Sequence, residues 1–134
     1  MNNEIDTLIH QIEEGAEAQR RNAAMRMGRI RTRDCVAPLL KALQSDPSRL
    51  VRVSAIQSLS WIQDDSMIEP MINVVKNDSS DLVRKHAMEV LARVDINTHP
   101  KVKSLFEELQ NSHYNGEIRE IIESTLNKHR MSNE

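Results

Sequence analysis

Apolar residues recur along this chain on a 3.6-residue period, and the whole pattern then repeats. In the stretch Val51–Ile62, the residues Val51, Ala55, Leu59 and Ile62 fall on one side of a helix. The same pattern returns 32 positions later in Val83, Ala87, Leu91 and Val94, and 32 positions earlier in the stretch Gln19–Ile30. A looser copy, 35 positions after the second, runs from Ile118 to Leu126. Each copy follows a second amphipathic segment. These segments carry Ile5, Leu8, Ile9 and Ile12; then Val36, Leu39, Leu40 and Leu43; then Ile68, Met71, Ile72 and Val75; then Val102, Leu105, Phe106 and Leu109. The spacing predicts eight helices in four two-helix units, at about 1–30, 31–62, 63–95 and 96–131, with 131–134 as a frayed tail and no strand.

The polar positions punctuate these units. Ser66 and Glu69 read as a capping box, Asp34 as the matching N-cap one unit earlier, and Thr98 as the cap in the fourth. Pro38 and Pro70 fall in the first turns of their helices, where backbone N–H groups have no helical partner to lose. A helix pair of this size cannot bury its apolar face alone, so stacked neighbours must share one core. The expectation is an all-α, right-handed α-solenoid forming a single domain over 1–134. Its core would be lined by Leu39, Leu40, Leu43, Ala55, Leu59, Ile62, Met71, Ile72, Val75, Ala87, Leu91 and Val94. Ala23, Ala55 and Ala87 are small at one register position, and Gly28, Ser60 and Ala92 at a second, which lets the second helices of neighbouring units approach closely.

Composition narrows the function more by exclusion than by indication. With 18 Lys and Arg against 20 Asp and Glu, the net charge of −2 argues against a protein that coats nucleic acid. Aromatics are 2% of the chain, too few for a base-stacking or flat-cofactor pocket. Cys35 stands alone, so no disulfide frame or Cys-based zinc site is expected, and beside Asp34 it reads as a small packing residue. The five histidines, His10, His86, His99, His113 and His129, have no i, i+3 or i, i+4 pairing, so no metal is expected, and no cofactor. No apolar run is long enough to span a membrane, and the first residues lack a signal-peptide pattern; a cytoplasmic protein is the default.

The proline in the first helix (Pro38, Pro70), the aspartate in the turn (Asp46, Asp78) and the Val-Arg-x-x-Ala-x-x-x-Leu run of the second helix resemble the HEAT-repeat family. The match is nearest to the short HEAT-like repeats typified by phycobilisome lyase subunits. It is close in units two and three. Unit one has Gln19 for the apolar residue and Glu14 for the turn aspartate; in unit four Ser112 or His113 stands at the turn and Ile121 replaces alanine. Once per unit an arginine recurs, as Arg20, Arg52, Arg84 and Arg119. The row could bind anions, but the resemblance implies instead a structural ladder with the turn acids Glu14, Asp46 and Asp78. Enzymatic relatives fit poorly. The His-Glu pairs of the iron enzyme deoxyhypusine hydroxylase are absent, and the aromatic cleft of HEAT-like DNA glycosylases has no counterpart.

Two features depart from the repeat. On a helical wheel Ser54, Gln57 and Trp61 lie on a flank away from the core, and in such a solenoid the second helices line the concave surface. The Trp61 position reads Arg29, Trp61, Arg93, Lys128 across the units; four residues earlier it reads Met25, Gln57, Glu89, Ser124; the row through Val53 reads Arg21, Val53, Lys85, Glu120. An aromatic between arginines is the composition of a binding hot spot, although Trp61 could equally fill an edge of the core. The second feature is the acid-free run 18–33, holding Arg20, Arg21, Arg26, Arg29, Arg31 and Arg33, set against a glutamate-rich last unit. It is either an anion site or a solvated end face.

These readings converge on a non-enzymatic interaction scaffold or adaptor with no catalytic residues. It would take a protein partner, such as an acidic or amphipathic helix, through Trp61, Arg29, Arg93, Arg26, Arg21, Lys85 and Gln57 on the concave face. The alternatives are a lyase-like assembly factor for a cofactor-bearing protein, resting on the resemblance alone, and phosphate or nucleic-acid binding through the Arg-rich first repeat.

Overall fold

The computed structural model describes residues 3–112, 114 and 116–132. Eight helices follow one another: α1 (Asn3–Glu14), α2 (Glu17–Ile30), α3 (Val36–Ser45), α4 (Arg49–Ile62), α5 (Ile68–Asn77), α6 (Asp81–Leu91), α7 (Pro100–Gln110) and α8 (Gly116–Ser132). They pair as antiparallel hairpins, α1 with α2 through α7 with α8, and the hairpins stack into an all-α solenoid. The described residues contain no strand. Of the expected frayed tail, residues 131 and 132 belong to α8 and 133–134 lie outside the described residues, as does His113.

Over the first three hairpins the even-numbered helices pack on one another far more closely than the odd-numbered ones do, most of all α2 on α4. In a curved two-layer stack the layer with the closer spacing lies inside the curve, so the even-numbered layer is the inner one over the first three hairpins. Small side chains permit this. Ala23, Ala24, Ala55 and Ala87 are almost wholly buried, and a Cβ on Gly28 would sit 2.7 Å from Ser58 Cα. The Ser58 hydroxyl donates to the Ala24 carbonyl at 2.6 Å, a buried bond between α4 and α2. The close approach at Gly28 is thus with Ser58; Ser60 and Ala92, which share its expected register, are only half-buried.

The core departs from expectation at its margins. Leu39, Leu43, Ala55, Leu59, Met71, Val75, Ala87 and Leu91 are buried, but Leu40, Ile62, Ile72 and Val94 are half-exposed. Ile56, Met27, Met88 and Phe106 are fully buried instead. Ser54, placed on an outward flank by the wheel, is buried, and its hydroxyl donates to the Leu50 carbonyl at 3.0 Å. The reason is that α4 is covered on three sides, by α3 of its own hairpin and by α2 and α6 of its neighbours.

The caps also shift. A short 3₁₀ turn precedes α3 (Arg33–Cys35) and another precedes α5 (Asp65–Met67), so the capping side chains sit further upstream. Thr32, not Asp34, accepts from the Asp34 N–H, and Asp64, not Ser66, accepts from the Ser66 N–H at 2.9 Å. The Ser66 hydroxyl and N–H hold the Asp64 carboxyl below the usual carboxylate range, with Arg33 adding to the effect. Glu69 does not reach back to close a capping box but pairs with Lys101. Thr98 donates to the Asp95 carbonyl, and α7 begins at Pro100 with no side-chain cap. Cys35 is fully buried, and burial pushes its thiol up.

The junction of the third and fourth hairpins is built differently from the others. Helices α6 and α8 touch little, and ion pairs span the gap: Glu69–Lys101, Lys76–Glu108 at 3.6 Å and Lys85–Glu117, with the His99 ring 3.5 Å from the Asp65 carboxylate. The Lys101 and Lys85 ammonium groups hold the Glu69 and Glu117 carboxyls below their ordinary value. A carboxyl depressed on folding contributes stability that is complete above its unfolded value, about pH 4.3, and disappears as pH falls through the folded one. The amides of α7 and α8 are therefore expected to lose protection, relative to the intrinsic exchange rate at the same pH, in 1 M salt and again below about pH 4, while those of α2 and α4 stay protected. Hydrogen exchange read by mass spectrometry checks this, and equal protection of all four hairpins at both salts would refute it.

Candidate interaction surface

Two sets of side chains recur on the even-numbered helices. The first begins with arginines near their starts. Arg20 on α2 places Nε 2.9 Å and Nη2 3.2 Å from the two carboxylate oxygens of Asp46, and Arg52 on α4 does the same to Asp78 at 3.0 and 3.1 Å. Each is a two-pronged charge-assisted contact reaching forward into the next hairpin. The remaining Nη1 donates backward, from Arg20 to the Gly15 carbonyl at 3.0 Å and from Arg52 to the Asp46 carbonyl at 2.8 Å. The carboxylates also receive the N–H of Ser48 and of Ser80 at 2.9 Å, so each aspartate both shapes its turn and grips an arginine. The Asp46 hydrogen bond raises the Arg20 guanidinium further above its ordinary value.

Because the arginines reach forward, the acid of the first unit has none before it: Glu14 is exposed and outside the series. At the far end, Gln110 stands 32 positions after Asp78, and offers Arg84 no carboxylate. Arg84 turns instead to Asp81 on its own helix and to the Asp78 carbonyl, and Arg119 pairs with Glu123 at 3.0 Å. Among the described residues the Arg–Asp series therefore has two rungs, and Ser112 does not extend it.

The second set lies on the stripe of the inner layer that no neighbour covers. On α4 this stripe is narrow: Leu50 and Val53 are half-buried, and Gln57 and Trp61 are exposed. Trp61, at the end of α4, has 39% of its surface accessible, which places it outside the core edge. Arg29 at the end of α2 and Arg93 beyond α6 are exposed at the same register and make no ion pair among the described residues. Lys128 is exposed on α8. Arg21 is exposed one row away, and likewise without an ion pair.

Two expected members of the surface stand elsewhere. Arg26 lies in register with Ser58, the residue that packs back onto α2, but it is exposed and bonds Glu4 on α1 at 2.7 Å. Lys85 is half-buried and compensated, bonded to Glu117 and 3.9 Å from Glu89, and Glu117 raises its ammonium above the ordinary value. The acid-free run is similarly divided. Arg20, Arg26 and Arg33 each have a carboxylate, at Asp46, Glu4 and Asp64. Arg21, Arg29 and Arg31 have none among the described residues, and they spread along α2 and the turn after it rather than converge on one point. The glutamates at the other end pair with Lys76, Lys85, Lys103 and Arg119.

Sequence reasoning missed Leu82, which is 40% exposed at the start of α6. It also missed the ion pairs at the third junction, although opposite charges 32 apart (Glu69 and Lys101, Lys76 and Glu108, Lys85 and Glu117) were a usable signal. A cleft of about 490 Å³ lies on the outer layer between α5 and α7, with Ile72, Pro100 and Leu105 in its lining. No group of three or more His, Cys, Asp or Glu among the described residues is placed to hold a metal ion, and no helix is long and apolar enough to cross a membrane. A family model described as HEAT repeats matches residues 5–92, while a search of curated proteins finds no significant match.

Proposed function

The chain belongs to the HEAT-repeat family, and on that premise we propose that it is a non-enzymatic, cytoplasmic scaffold or adaptor that holds a protein partner on its inner layer of helices. One observation carries the reading. Trp61 is exposed where the fold needs no aromatic, and the two cations beside it in register, Arg29 and Arg93, make no ion pair among the described residues. Tryptophan and arginine are the residue types most enriched in binding hot spots, and a partner presenting carboxylates and an apolar side chain would complete both. The two Arg–Asp rungs, in contrast, are satisfied internally and serve the stack. The alternative of an assembly factor like the phycobilisome lyases has no residue here that speaks for bilin chemistry. Anion binding by the first repeat is weakened by the loss of Arg20, Arg26 and Arg33 to internal carboxylates.

The experiment is affinity capture from native lysate with the wild-type protein and with a Trp61→Ala/Arg93→Ala variant of unchanged circular dichroism. A partner held at this site should bind the variant at least about thirtyfold more weakly, the effect of losing a hot spot of about 2 kcal/mol. Equal capture by both proteins would make the row a structural feature.

A further inference from the structure

Only two large apolar side chains among the described residues are counted as exposed, Trp61 and Leu82, and both belong to the inner layer. They are related by register. Leu82 is the counterpart on α6 of Leu50 on α4, 32 positions before it. Eleven residues separate Leu50 from Trp61, a rotation within about 20° of three full turns, so the two share one stripe. Leu82 and Trp61 therefore stand at opposite ends of a diagonal across two adjacent helices. The separation is about 16 Å along the axes and about 9 Å across them, close to 19 Å in all. Between them the track carries no unmatched cation: Val53 and Gln57 carry no charge, and Lys85 is paired with Glu117 and Glu89. Beside Trp61 stand two cations that make no ion pair among the described residues, Arg29 and Arg93, whereas Arg21, also unpaired there, lies off the diagonal at the start of α2.

We propose that this diagonal is the seat of a single amphipathic helix from a partner protein, anchored by two apolar side chains about eleven to fourteen residues apart, with acidic residues beyond the anchor that meets Trp61. The inference rests on the reading of the inner layer as the partner surface and adds to it Leu82, the span and the charge polarity of the ligand. An extended segment would find few free backbone groups to pair with on a helical surface, whereas a helix presents anchors on one face at this spacing. A basic helix would bring like charge onto Arg29 and Arg93.

Trp61 is the only tryptophan in the sequence, so its emission reports docking directly. The probes are two synthetic 20-residue helices with leucines eleven apart, one ending in three glutamates beyond a leucine and one ending there in three lysines. The glutamate peptide should shift Trp61 emission to the blue with saturation, and Leu82→Glu, an exposed substitution, should weaken it tenfold or more. The lysine peptide should bind at least tenfold more weakly than the glutamate one. Absence of saturable binding, equal binding of the two peptides, or full binding by Leu82→Glu overturns the proposal. If Leu82→Glu still captures the native partner that Trp61→Ala/Arg93→Ala loses, the two-anchor track falls while the scaffold reading stands.

Discussion

Arg52→Ala is expected to lower the folding free energy by about 3–5 kcal/mol, the cost of removing one member of a buried pair. The Arg52 side chain is 11% exposed and that of Asp78 8%, so the variant leaves a carboxylate away from water with only the Ser80 N–H to bond it. It also strips the Asp46 carbonyl of its donor. Against a typical total of about 5–15 kcal/mol, such a loss puts the chain close to unfolding. Urea titration followed by circular dichroism and by Trp61 emission measures it. Two further variants locate the cause. Asp78→Ala should cost a similar amount, and Arg52→Met/Asp78→Leu should recover part of it, because a matched apolar pair leaves no orphaned charge. Arg84→Ala should cost much less, since its carboxylate partner, Asp81, is exposed. If Arg52→Ala were no worse than Arg84→Ala, the rungs would be ornaments of the surface rather than ties between hairpins.

Gly28→Ala is expected to destabilise by about 1–3 kcal/mol, although alanine is the better helix former by about 1 kcal/mol. Packing decides the sign. The added Cβ would meet Ser58 at its Cα, 2.7 Å away, and backbone cannot rotate aside as a side-chain tip can. Helices α2 and α4 must then separate, which stretches the Ser58–Ala24 bond and loosens the tightest contact in the stack. Asn22→Ala, at an exposed position on the same helix, serves as the control and should be neutral or mildly stabilising. Thermal melts of the three proteins give the comparison. A Gly28→Ala protein that melts at or above the wild type would show that the two helices do not approach as closely as described.

The repeat was legible because the physics that sets it is local and cumulative. Apolar residues must return every three to four positions for a helix to bury one face, and a second helix must follow before the next copy can stack. That logic places Leu39, Leu59, Met71 and Leu91 correctly without coordinates. It fails at Ser54 and Arg26 because a wheel describes one helix, while exposure here depends on which neighbours a helix has. Ser54 sits on a helix covered from two adjacent hairpins, and Arg26 is drawn to Glu4 on α1 of its own hairpin. The caps of α3 and α5 moved for a related reason: the intervening 3₁₀ turns leave the apolar period almost undisturbed but change which backbone N–H is orphaned.

By itself, then, the sequence determined the all-α class, the HEAT-type repeat and its period, the residues at the centre of the core, and the recurrence of an arginine and an acid once per unit. These follow from spacing along a single chain. Only the tertiary structure decided which hairpin each arginine serves, reaching forward from Arg20 to Asp46 and from Arg52 to Asp78 rather than back to Glu14. It alone decided that Lys85 and Arg26 are already matched, that Trp61 and Leu82 are exposed, and that ion pairs bridge the third and fourth hairpins. Register along a helix is set by bonds within it, but exposure and charge compensation are properties of the space between helices, and that space exists only once the units have stacked.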